Sequence, residues 1–209
     1  MRRTSPMTLG VLASLWGTAP SAHAGPPGGI DSWTPHQVKA GPSRVSDVLA
    51  IGAGVGAVGT GLVRGVESGE WVGLGASGGT LAVTLGLTEA TKRLSNRRRP
   101  YTWDPEHPAV GVPGYCSSSA PLTPDDCKSF FSGHTALAAA SSFSAVRDLQ
   151  LRGGLTARRD LRLAYGTALV VTLSTATLRV MAGKHYVTDV AVGALVGTGL
   201  GVLGPTLAY

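Results

Sequence analysis

LRVMAGKHYVTD, residues 178–189, is the stretch around which the rest of this chain is organised. Its chemically capable side chains are Arg179, His185 and Asp189. His185 and Asp189 are four residues apart, so on a helix they share one face, a turn from each other. A carboxylate there can hold one ring nitrogen of the imidazole and leave the other free to attack or to take a proton. Arg179, six residues upstream of His185, can turn its planar fork of donors toward an oxyanion at the mouth of that helix. An ordinary helix-start histidine with a solvated aspartate fits the same residues.

Two further stretches change the balance. One is KRLSNRRRP, residues 92–100, and the other is FSGHTA, residues 131–136. Together they place Lys92 and Arg99, then Ser132, Gly133 and His134, then Arg179, His185 and Asp189 in one order. This pattern resembles the phosphatidic acid phosphatase type 2 (PAP2) family, also called the acid phosphatase/vanadium haloperoxidase superfamily. The resemblance runs from Lys92 to Asp189, about half the chain. It implies hydrolysis of phosphate esters or anhydrides without a metal. His185 takes the place of the nucleophile that forms a phosphohistidine, and Asp189 that of the group orienting and charge-stabilising it. His134 takes the place of the general acid for the leaving group. Lys92, Arg99, Ser132, Gly133 and Arg179 take the places of the phosphate-binding residues. Two positions depart from the usual pattern: Phe131 stands where proline is usual, and Leu178 where serine is usual.

The same residues make physical sense without the resemblance. Phosphoryl transfer needs in-line positioning and dense positive charge around the equatorial oxygens. Lys92 supplies a point charge and Arg99 a bidentate fork. Ser132 and Gly133 open an apolar run whose helical N-terminus offers free N–H groups to an anion. Ser132 also suits a simple N-cap, and the two roles coexist. Arg97 and Arg98 lie outside the family pattern and read as solvated or lipid-headgroup contacts.

The charged fraction is 14%, well under that of ordinary soluble domains. The net charge of +6 comes from basic clusters not interleaved with aromatics, which argues against nucleic acid. Arg2 and Arg3, a short apolar run and the small residues up to Ala24 describe a signal peptide over residues 1–24, or an uncleaved anchor. Residues 25–46 read as an extended lead-in, and 47–209 as a single phosphatase domain.

Apolar runs at 48–63, 71–88, 130–146, 163–178 and 190–209 predict an all-α, PAP2-like bundle of about five helices. The first run carries Gly52, Gly54, Gly56, Gly59 and Gly61. Such glycines are poor for a helix in water but allow close packing in a bilayer. Low charge and small residues favour a membrane-embedded bundle over a soluble periplasmic one, although most runs sit at or just under the roughly 17–25 residues a span needs.

Starting outside, five crossings put Arg147, Arg152, Arg158, Arg159 and Arg162 on an inner loop, as the positive-inside tendency asks. The same count puts all three motifs on the outer face, toward the periplasm or exterior. Cys116 and Cys127 fall on that face, where a disulfide between them is expected. Two cysteines without a matched histidine pair do not fill a zinc shell, so no metal site is expected. Tyr101, Trp103 and Tyr115 in the same loop read as interfacial aromatics or as a substrate mouth.

The reading is therefore a membrane phosphohydrolase with no cofactor, acting on a phosphorylated substrate, in the membrane reading a lipid phosphate or diphosphate. Three alternatives stay open. A soluble nonspecific acid phosphatase shares the motifs. A vanadium haloperoxidase would hold vanadate in the same pocket, though such enzymes resemble longer chains. A non-catalytic lipid-binding membrane protein has no need of the full set of residues.

Overall fold

A computed structural model of the chain describes residues 27–110, 112, 116, 123 and 125–209. The expected signal segment, residues 1–24, and Tyr115 lie outside them. Among the described residues the regular structure is entirely helical. Five α-helices follow in order: α1 (Ala40–Ser68), α2 (Val72–Ser95), α3 (Gly133–Leu151), α4 (Arg158–Met181) and α5 (Val187–Ala208). Two short 3₁₀ helices, Gly29–Trp33 and Pro100–Trp103, flank the site end.

The helix ends follow from local chemistry. Gly69 closes α1 at φ 75°, with its N–H returned to the Gly65 carbonyl. Asn96, at φ 46°, ends α2, since a short polar side chain tolerates the left-handed region. Ser132 caps α3, its hydroxyl accepting from Thr135 N–H at 3.5 Å. Asp189 reaches back to the N–H of Tyr186 at 3.0 Å and closes the first turn of α5. α1 begins at Ala40, and Gly29–Trp33 is helical, so the stretch read as an extended lead-in is shorter and more structured than expected.

α3 is the central helix and packs against the other four. Its alanines 136, 138, 139 and 140 are fully buried. Against it lies a row of glycines on α5. A Cβ at Gly193, Gly197 or Gly201 would run into the carbonyl oxygens of Ser132, Ala136 and Ala140 respectively, so the two backbones touch. The close-packing role expected of the α1 glycines belongs mostly to this row instead. Gly52, Gly56 and Gly59 have open space beside them, whereas Gly61 meets the backbone of Leu74.

α1, α4 and α5 are long and apolar enough to cross a membrane. Large apolar side chains line their outer faces: Val55 is 68% exposed on α1, Val170 62% on α4 and Leu195 75% on α5. Exposed apolar surface on this scale belongs against lipid or a partner, not water. At the end away from the motifs, Arg152 bonds Asp148 at 3.0 Å and Tyr209 donates to the same carboxylate at 2.9 Å, tying α3 to the end of α5.

Candidate functional site

The three motifs converge at one end of the bundle. Lys92 lies in the last turn of α2, Ser132 caps α3 and Gly133 and His134 open it, Arg179 lies in the last turn of α4, and the short link into α5 carries His185. The starts of α3 and α5 are joined directly, Ser132 N–H donating to the Asp189 carbonyl at 3.1 Å.

His185 is buried, at 1% exposure. Its Nδ1 lies 2.7 Å from the carbonyl oxygen of Ser129. A carbonyl only accepts, so Nδ1 carries the ring proton and Nε2 keeps its lone pair. Arg99 Nη1 approaches that Nε2 at 3.4 Å. Asp189 Oδ2 stands 3.6 Å from Nδ1 and contributes charge, while Ser129 makes the shorter contact. Burial drives the His185 pKa down to about 3, Asp189 opposing the shift and Arg99 adding to it.

Asp189 is itself fully buried and well supplied with donors. Its Oδ1 pairs with Arg97 Nη1 at 2.5 Å. Its Oδ2 accepts from Ser129 Oγ at 2.5 Å, beside the backbone bond to Tyr186. Arg97 was expected to be solvated or in lipid contact. Instead it bridges Asp189 and Asp31 and lies over the Tyr186 ring, its guanidinium carbon 4.4 Å from the centroid. Arg98 likewise turns inward, stacking on Trp103 at 4.0 Å and donating to the Ala109 carbonyl at 2.9 Å.

Arg99 is held by its own loop. Its Nε donates to the Asp125 carbonyl at 2.8 Å and its Nη2 to the Asp125 carboxylate at 3.2 Å. A disulfide joins Cys116 to Cys127 next to this segment. Two aromatics of the loop, Tyr101 and Trp103, serve as struts. Tyr101 donates to Asp126 at 2.7 Å, and Trp103 Nε1 donates to the Tyr186 hydroxyl at 2.9 Å.

Arg179 is 5% exposed and its Nη1 pairs with Asp47 Oδ1 at 2.8 Å. Its buried Nε has no hydrogen-bond partner among the described residues, a donor left for an anion. The same Asp47 oxygen lies 3.1 Å from His134 Nε2. Gly133 is a glycine because of space: a Cβ would meet Thr88 Cγ2 at 2.9 Å and Lys92 Nζ at 3.6 Å. Lys92, Gly133 and His134 line a cleft of about 380 Å³ whose remaining wall includes Ile51, Leu85 and Leu137.

Both departures from the usual motifs can be located. Phe131 is 3% exposed and packs edge-on against Phe130, with centroids 6.1 Å apart. Leu178 lines a shallow groove with Leu173, Ser174 and Thr177, about 100° round α4 from Arg179.

All eight motif residues thus gather at one end. Sequence reasoning missed Asp31, Asp47, Asp125 and Ser129. Asp47 had a signal, as a lone acid opening an apolar run. Asp31 and Ser129 had none, since their partners lie 157 and 56 residues away.

No curated protein and no solved structure matches the chain. The sequence model of the PAP2 superfamily matches residues 73–208, which takes in α2 through α5 and every motif residue named above. This chain belongs to the PAP2 superfamily, whose members are generally phosphatases acting on phosphate esters.

Proposed function

We propose that the protein is a phosphohydrolase that uses His185 as a covalent nucleophile. The observation that carries this reading is the Nδ1 contact to the Ser129 carbonyl, which leaves Nε2 with a lone pair beside Arg99. In the first step Nε2 attacks phosphorus and the ester oxygen departs, taking a proton from His134. In the second, water attacks phosphorus while His134 takes a proton from it, and the P–N bond breaks to restore the lone pair. Lys92, Arg99 and Arg179 meet the charge on the phosphoryl oxygens, with Ser132 and the N–H groups at the start of α3 beside them. These cations stand where a magnesium ion stands in other phosphoryl-transfer sites, so the reaction needs no added metal.

The substrate is a lipid phosphate or diphosphate. The cleft beside Lys92 and His134 has apolar walls from Ile51, Leu85 and Leu137, and three helices carry lipid-compatible outer faces. The site faces the periplasm or exterior. That orientation leaves the basic link around Arg158, Arg159 and Arg162 on the cytoplasmic side.

The test is phosphate release by detergent-purified protein without added metal. A polyprenyl diphosphate is compared with a small aryl phosphate, with His185→Ala as control. Faster turnover of the lipid, lost in the variant, is expected. Aryl phosphate turnover without lipid preference would replace the lipid reading with a nonspecific phosphatase. Release that persists in His185→Ala would remove the nucleophile assignment.

A further inference from the structure

Asp31 sits in the segment before α1, far in sequence from every motif, yet it is 6% exposed. Both of its carboxylate oxygens are occupied. Oδ2 accepts from Arg97 Nη2 at 2.6 Å and from Thr188 Oγ1 at 2.7 Å, and Oδ1 accepts from Thr188 N–H at 2.9 Å. The Thr188 N–H is one of the free donors in the first turn of α5. Asp31 therefore caps, from outside, the helix that begins beside His185. The other end of the Arg97 fork, Nη1, reaches Asp189 Oδ1 at 2.5 Å and Thr188 Oγ1 at 2.9 Å. One guanidinium thus spans two carboxylates, one from the leading segment and one beside the nucleophile.

The rest of that segment lies over the same link. Lys39 N–H donates to the Ala182 carbonyl at 3.2 Å. Gly183, at φ 67°, lies so close to the Pro35 and Gln37 carbonyls that a Cβ has no room. From the other side, Tyr101 N–H donates to the Gly183 carbonyl at 3.2 Å. The chain that delivers His185 is clamped between residues 29–39 and the Pro100–Trp103 turn.

Burying two carboxylates on one arginine is a poor way to gain stability, because desolvation offsets most of the attraction. What it does give is direction: a fixed fork sets where Asp189 points, and Asp189 with Ser129 frames His185. We propose that Asp31 and Arg97 are positioning residues for the His185–Asp189 pair, which makes residues 29–39 a working part of the phosphoryl-transfer site. The role in turnover rests on the phosphohydrolase reading, whereas the coupling to His185 can be read without turnover.

The experiment uses the full chain in detergent with Asp31→Asn, Arg97→Lys and Arg97→Gln, each checked by thermal melting for a folded state. Arg97→Lys keeps the charge but lacks the fork that spans both carboxylates. Asp31→Asn and Arg97→Lys are expected to lower kcat about 10- to 100-fold, as for a small misplacement of a reacting group, with KM changed less. Independently, the imidazole ¹⁵N resonances of His185 at neutral pH report the tautomer and the Nδ1 hydrogen bond. They should move in Arg97→Gln and Asp31→Asn, and stay in place in a variant of an exposed lipid-face residue such as Leu195→Ala.

Folded variants with wild-type kcat and unmoved His185 resonances would overturn the proposal. If the wild-type chain released no phosphate from any substrate, the functional reading would fall, and the ¹⁵N shifts would still decide whether Asp31 and Arg97 position His185.

Discussion

His185 Nδ1 lies 2.7 Å from the Ser129 carbonyl oxygen and 3.6 Å from Asp189 Oδ2. Holding the tautomer therefore falls to a backbone group, and stabilising the charge falls to the carboxylate. Asp189→Asn should keep the tautomer and lose the charge. We expect a fall in kcat of about 10- to 100-fold, the worth of one to two pK units, while His185→Ala loses phosphohistidine formation altogether. Rapid-quench labelling with a ³²P substrate measures both. Equal losses in the two variants would make Asp189 responsible for orientation as well.

The depressed pKa of His185, about 3, has two consequences of definite sign. The imidazole stays neutral well below the ordinary 6.5, so phosphoenzyme formation through the proposed nucleophile should show no acid limb near pH 6.5 that belongs to His185. In the unfolded chain the same ring takes up a proton near 6.5, so the unfolded state binds more protons between that pH and about 3. This group's contribution to stability therefore falls as pH drops through that window. Phosphoenzyme yield at pH 5, compared with pH 7, checks the first point. Retention of the acid-side stability loss in His185→Gln would contradict the second.

Asp47 occupies one donor of Arg179 and the Nε2 of His134 with a single oxygen. A carboxylate in that position competes with an incoming anion. Asp47→Asn should tighten inhibition by inorganic phosphate about twofold to fivefold, the scale of a half-exposed ion pair. Weaker inhibition in the variant would mean that Asp47 supports anion binding by ordering Arg179.

Gly133→Ala places a methyl group 2.9 Å from Thr88 Cγ2. Overpacking of this kind costs about 1–3 kcal/mol, and the start of α3 pushed away from Thr88 should raise KM. Thr88→Ser removes the clashing methyl, so the double variant should recover most of the stability in a thermal melt. No recovery would point instead to the helix N-terminus as the origin of the loss.

The Cys116–Cys127 bridge spans 11 residues, worth about 3 kcal/mol by loop-closure entropy. It also anchors the segment that holds Arg99 through Asp125 and Asp126. Reduction, or Cys116→Ser with Cys127→Ser, should lower the melting temperature and raise KM more than it lowers kcat. An unchanged KM would show that Arg99 is ordered without the bridge.

The legible part of the molecule was whatever repeats or keeps short range. Apolar run lengths announced five helices, and fixed spacings announced Lys92, Arg99, His134, Arg179, His185 and Asp189. What stayed hidden depends on contacts across long separations. No local pattern says that Asp31 meets Arg97 or that Ser129 turns its carbonyl to His185. The glycines misled in α1, because composition tells how closely a helix can pack but not which face meets a neighbour. Arg97 misled for a related reason: a run of three arginines looks solvated until the carboxylates that face it are known.

The glycine row of α5, resting on the carbonyls of α3, has an evolutionary side. His134 and His185 each lie at the start of one of these two helices, so their spacing is set by main chain against main chain. Substitutions on the exposed apolar surfaces can then accumulate without changing that spacing. Such a scaffold lets the outer surface drift while the geometry of the site end stays fixed, and it confines intolerance to a few glycines of α5.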